Sequence, residues 1–141
     1  MTVKLRLSDA ASEEILILSR SMEYLPDVAD NLKRALERDI TLRIVLMNPD
    51  LLDDGDREKQ FHILRVAKER LGEGVPIRFS DEVPIRGCIT DPARGGQALF
   101  LVEDPGVPLS MREAAITSHS SVVKGLALMF NLTWEHRSKK P

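Results

Sequence analysis

The sequence predicts an α/β fold, a three-layer sandwich around a mixed, mostly parallel sheet, with the element order β-α-β-α-β-β-β-β-α. Three observations predict it. Short β-rich apolar runs alternate with amphipathic helical stretches through the first half, as in parallel strands joined by crossover helices. The run Ile15-Leu16-Ile17-Leu18 is continuously apolar, as strands covered on both faces are. The second half gives short strands broken by turn residues, with one long apolar helix at its end.

The elements follow in order. Val3-Lys4-Leu5-Arg6-Leu7 alternates with period 2 and predicts a half-buried strand or extended arm, so residues 1–11 form an N-terminal arm or edge strand. Glu14 to Ser19 predicts the first buried strand. Pro26-Asp27 opens a helix, proline being tolerated in the first turn. Leu25, Val28, Ala29, Leu32 and Leu36 give that helix its apolar stripe. Thr41 to Leu46 predicts a second strand, ended by the turn Asn48-Pro49-Asp50. Asp53-Asp54-Gly55-Asp56 is an acidic loop or a helix cap. Phe61, Leu64, Ala67 and Leu71 mark a second amphipathic helix, with Gly72 as its stop. Strands are predicted at Val75–Phe79, Ile85–Ile89, Gln97–Val102 and Ala114–Thr117, with a turn at Gly95-Gly96. The last helix begins at Ser118-His119-Ser120-Ser121. Residues 138–141 read as a polar, frayed tail.

Composition narrows the function classes. The 141 residues fit one domain, with 43% hydrophobic and 30% charged residues, which excludes a disordered chain. A net charge of −2 lacks the basic surplus of a dedicated nucleic-acid binder. The single cysteine, Cys88, excludes an internal disulfide and fits a reducing compartment, so a cytoplasmic location is expected. No apolar run reaches the roughly 20 residues of a membrane span, and the start lacks the apolar core of a signal peptide. Phosphate-loop, dinucleotide-binding and nucleophile-elbow motifs are absent. His62, His119 and His136 are far apart and lack metal-ligand spacing, so no metal and no cofactor are expected. Cys88, amid apolar neighbours, reads as a small core residue.

The stretch Pro84-Ile85-Arg86-Gly87-Cys88-Ile89-Thr90-Asp91 carries the chemistry. It resembles the catalytic strand of the phospholipase D-like superfamily, whose motif is His-x-Lys followed, after four residues, by Asp. Setting that Asp on Asp91 puts Arg86 at the lysine and Pro84 at the histidine. The resemblance implies a histidine nucleophile, and proline has no nucleophilic atom, so phospho-histidine chemistry is expected to be absent.

Over residues 12–137 the chain resembles the phospholipase D-like effector domain of TrmB-type transcriptional regulators. The resemblance rests on Glu13-Glu14-Ile15-Leu16-Ile17-Leu18, Thr41 to Leu46, Val75-Pro76-Ile77-Arg78, the Arg86–Asp91 strand and the closing Phe130-Asn131-Leu132-Thr133-Trp134-Glu135. It implies a non-catalytic sensing or assembly domain joined to a winged helix. A winged helix needs about 60–70 residues and none fits before residue 12, so DNA contact is expected only through a fused or partner domain.

Crossover sheets place ligands at the carboxyl ends of their strands. The candidate pocket is therefore set by Ser19, Arg20 and Ser21 after the first strand, Asn48 after the second, Arg86 and Asp91, and Ser118, His119 and Ser120 at the start of the last helix. Arg86 and Asp91 also read as a strand-end ion pair, and Ser118 or Ser120 as a plain helix cap. The last helix is apolar around most of its circumference, including Leu128 and Leu132. One sheet face needs only a stripe about 100° wide. Val122, Leu126, Met129, Phe130 and Trp134 are the candidate interface, a homodimer being the default partner. The leading expectation is a dimeric, ligand-sensing effector domain with a small-molecule effector. The alternatives are a residual phosphodiesterase or nuclease, and a module docking on protein or lipid.

Overall fold

A computed structural model describes residues 10–101 and 114–141. The expected N-terminal arm at residues 3–7 lies outside the described residues. The elements are β1 (Glu14–Ser19), α1 (Leu25–Glu37), β2 (Thr41–Met47), α2 (Asp54–Leu71), β3 (Ile77–Ser80), β4 (Arg86–Thr90), β5 (Gln97–Leu101), β6 (Ala114–Thr117), α3 (Ser120–Leu132) and β7 (Ser138–Lys139). The expected order holds, with β7 added at its end. Ser138 and Lys139, read as tail, pair antiparallel with Ser80 and Phe79 of β3.

The seven strands form one sheet in the order β6-β5-β4-β1-β2-β3-β7. It is mixed, but the expectation of mostly parallel strands is corrected. Only β1–β2 and β2–β3 run parallel, as the crossovers through α1 and α2 require. The β1–β4, β4–β5, β5–β6 and β3–β7 pairs are antiparallel. After β3 the chain passes back across the sheet and enters β4 on the far side of β1 in the opposite direction, and hairpins then extend that half.

Alternation along β1 divides the core between two helical layers. Ile15 and Ile17 face α1 and α2, packing with Leu25, Val28, Leu32 and Ala35 of α1 and Ile63 and Ala67 of α2. Leu16 and Leu18 face the other way, packing with Val123, Ala127, Phe130 and Trp134. This is the expected three-layer sandwich. Asp53 caps α2 by accepting from the Asp56 amide at 2.8 Å. The stripe of α2 differs from expectation. Gln60, Ile63 and Ala67 face the core, and Phe61 points to solvent at 65% exposure. Phe61 and Ala67 are six residues apart, about 600° of helical rotation, so they do not share a face.

Glycine is required where β4 turns into β5. Gly95 has φ +67°, and a Cβ on Gly96 would collide with the Thr90 carbonyl. At the other edge, Trp134 closes the α3 layer. Its ring stacks on Phe130 at 5.9 Å and 17°. The Arg78 guanidinium lies 4.3 Å from the ring centroid, and Arg43 lies 5.4 Å from it. Arg43 also donates to Asn131 Oδ1 at 2.8 Å and pairs with Glu14 at 3.3 Å.

Candidate ligand site

Strand direction decides which candidate residues meet. In the antiparallel β1–β4 ladder Leu18 faces Gly87 and Ile15 faces Thr90. One step past Leu18 lie Ser19 and Arg86, at the carboxyl ends of β1 and β2 with Arg20, Ser21 and Asn48. One step past Thr90 lies Asp91, at the opposite end. The β4–β5 and β5–β6 hairpins carry the end of β6, and so Ser118, His119 and Ser120, to the Asp91 end as well. The expected single pocket is corrected: the sheet separates its residues into two groups.

Asp91 is a buried clamp at 8% exposure, with φ +47°. Its Oδ1 accepts from the amides of Glu13 at 2.7 Å and Glu14 at 2.9 Å. Its Oδ2 accepts from the Ser12 amide at 2.8 Å and the Ser12 hydroxyl at 3.2 Å. Burial pushes its pKa up, but the hydrogen bonds from Glu14, Ser12 and Glu13 outweigh it and hold the carboxyl below its ordinary value. The carboxylate thus fastens the start of β1 to the end of β4, with both oxygens engaged there. The expected Arg86–Asp91 ion pair is corrected too, since the two residues stand at opposite ends of β4.

At the other end, the strand-end loops are tied to each other. Ser19 Oγ accepts from the Met22 amide at 3.0 Å and holds buried Met22 at φ +56°. Ser21 Oγ donates to Glu23 at 3.5 Å. Asn48 donates to Asp81 at 2.9 Å and accepts from the Asp50 amide at 3.0 Å, so both halves of its amide are engaged. Arg20 is half-buried, its Nε buried without a hydrogen-bond partner. Gln60, only 1% exposed, donates to the Arg20 carbonyl at 2.9 Å and the Met47 carbonyl at 2.7 Å, joining the two loops. The sequence signal for Gln60 was available: a polar residue in register with Ile63 and Ala67.

The start of α3 is exposed at Ser118, His119 and Ser120. His119, not a serine, is the N-cap residue, and no side chain caps the helix. The buried Cys88 thiol sits near Tyr24, whose phenol is pushed above its ordinary pKa by burial first and by Cys88 second.

A cavity of about 370 Å³ opens on the α3 side of the sheet. It is lined by Pro84 and Glu82 from the β3–β4 loop, and by Gly125, Leu128, Met129 and Leu132 of α3 with Thr133 and Arg137 beyond it. Arg137 and Glu82 pair at 3.3 Å. Pro84 is the only candidate motif residue on this cavity. Phe130 and Trp134, expected at an interface, are corrected to core positions at 0% and 6% exposure. Val122 is exposed, and Leu126 and Met129 are half-buried. Among the described residues no cluster of His, Cys, Asp and Glu could hold a metal ion, and no helix is long and apolar enough to cross a membrane.

No family model and no curated protein matches the sequence. Solved structures do match the fold. TrmBL2, an archaeal chromatin protein with a novel mode of DNA binding, superposes with a TM-score of 0.69 and 23% identity. The match covers 99% of this chain and 49% of TrmBL2, so the chain spans about half of that protein's length. Nuc from Salmonella typhimurium, a phospholipase D family member, gives 0.69 and 14% identity over 99% of this chain and 89% of its own. NucT from Helicobacter pylori gives 0.71 and 10% identity with the same coverage. The chain has the phospholipase D-like fold, resembling the TrmB-type protein TrmBL2 as well as the phospholipase D family member Nuc.

Proposed function

We infer that this chain is a non-catalytic, phospholipase D-like effector domain that senses a small molecule and assembles as a dimer within a transcriptional regulator. The observation that carries the reading is Pro84 at the position of the nucleophilic histidine. Proline has neither a nucleophilic atom nor a titratable proton, so the covalent phospho-enzyme route is closed. Two further facts support it. Asp91, the motif acid, has both oxygens engaged by the backbone and side chain of the β1 start. Glu82, the carboxylate lining the Pro84 cavity, is paired with Arg137.

The effector is assigned to the strand-end group of Ser19, Arg20, Ser21, Asn48 and Arg86, where the positive charge of half-buried Arg20 suits an anionic or strongly polar ligand. Asp91, Ser118, His119 and Ser120 are left out, because they stand at the other end of the sheet. DNA contact falls to a fused or associated domain, as the net charge of −2 favours. The cytoplasm is the location that such a regulator requires. Binding must differ between two states of the dimer for the signal to pass on.

The test joins two measurements on the whole chain. Bis-p-nitrophenyl phosphate and single-stranded DNA are expected to remain intact, and a panel of anionic and polar metabolites is expected to contain at least one that raises Tm. Hydrolysis lost in Arg86→Ala would establish the nuclease reading instead. A monomeric chain that no metabolite stabilises would sink the sensing domain and leave a docking module.

A further inference from the structure

We propose that α3 is a self-complementary docking helix: a second copy of this chain packs its α3 antiparallel across the first, about a two-fold axis near Leu128. This rests on the dimeric reading above and specifies its interface. The first observation is the composition of the helix face. Among its 13 residues α3 carries one charge, Lys124, and it exposes Val122 at 42%, Leu128 at 60% and Leu132 at 52%. An exposed apolar stripe of this kind, continuous with the cavity at Pro84, is characteristic of a covered surface.

The second observation is independent of hydropathy. Gly125 sits in the middle of the helix, where glycine is among the poorest residues for stability. Among the described residues no close contact calls for it: a Cβ built there meets no atom within 4 Å. Its small size makes sense where another backbone or side chain comes close. Gly125, Leu128 and Leu132 follow i, i+3, i+7 spacing and share one face.

The occupant follows from the arithmetic of that face. In an antiparallel crossing centred on Leu128, Gly125 stands three residues before the axis and Leu132 four after it. At about 1.5 Å per residue they come opposite each other, so each glycine is a socket for the second copy's Leu132. The same crossing brings Lys124 of one copy opposite the second copy's Leu132, and Glu135 follows three residues on, in the wider turn Thr133–Arg137, within reach of the long Lys124 side chain. Lys124 and Glu135 are both exposed. Among the described residues neither has an ion-pair partner in its own chain. Shape and charge thus match a second copy through an isologous contact, in which each side supplies the same patch.

The experiment is sedimentation velocity on the whole chain from low to high micromolar, with circular dichroism to check folding. The wild type is expected to dimerise. Gly125→Gln, a better helix former with room in the monomer, and Leu128→Arg are each expected to weaken association at least about tenfold with the fold unchanged. Lys124→Glu weakens it at low salt, and the double swap Lys124→Glu with Glu135→Lys restores it. A dimer of unchanged affinity in both Gly125→Gln and Leu128→Arg overturns the proposal and leaves dimerisation through another face. A double swap that fails to restore association overturns the antiparallel geometry. A wild type monomeric at high micromolar, whether α3 then takes another domain or nothing, overturns it outright, and the sensing reading is then judged by the metabolite shift alone.

Discussion

Asp91→Asn tests the clamp at the end of β4. The carboxylate accepts four hydrogen bonds, from the amides of Ser12, Glu13 and Glu14 and the Ser12 hydroxyl. Hydrogen bonds to a charged group contribute roughly 1.5–3 kcal/mol each where both partners leave water, and they are not additive. Asparagine keeps one oxygen for Glu13 and Glu14 and turns an NH2 toward Ser12, where a donor now faces a donor. It also tolerates the left-handed backbone at φ +47°, so the substitution probes the carboxylate and not the turn. We expect a loss of about 2 kcal/mol at pH 7, read as a Tm fall of about 6 °C for a chain of this length. The pH dependence has a fixed sign. The folded-state pKa lies below the ordinary 3.8. The stabilisation is therefore complete above 3.8 and is lost as pH falls toward the lowered folded value. Thermal melts of wild type and Asp91→Asn should stay apart from pH 7 to 5 and converge below 3.8. Equal melting at pH 7, or a gap of constant size down to pH 3, would refute the clamp.

Other substitutions read the same framework. Gln60→Leu leaves the carbonyls of Arg20 and Met47 without their donor and should lower stability by about 2 kcal/mol in urea titrations. Trp134→Ala removes the ring stacked between Phe130 and Arg78 and should lose about 3–5 kcal/mol by the same measurement. Phe61→Ser, at a 65% exposed site, should change stability by less than about 0.5 kcal/mol, a result that separates the observed face of α2 from the expected one.

Much of the fold was legible because it is local. The β1 and α1 patterns, the Asn48-Pro49 turn and the Gly95-Gly96 hairpin announce themselves within a few residues, and their order is that of the structure. The burial of Gln60 could be read from its register with Ile63 and Ala67, but its partners could not. Its value lies in two carbonyls of other elements, Arg20 on the β1 side and Met47 on β2, which no periodicity in α2 reveals. Phe130 and Trp134 were legible as important but not as core. Both a covered face and a buried face are written as apolar residues at helical spacing, and only packing on Leu16, Val45 and Ile89 distinguishes them.

The sequence by itself determined the layer architecture, since side-chain period follows backbone geometry, and it puts no nucleophilic atom at Pro84 in any fold. The tertiary structure alone decided where the motif residues stand. The chain returns across the sheet to enter β4 antiparallel to β1, and that reversal is a non-local choice absent from any window of sequence. It sends Arg86 to the strand-end loops and Asp91 to the start of β1. One short motif thus becomes a candidate ligand contact at one end of the strand and a structural clamp at the other.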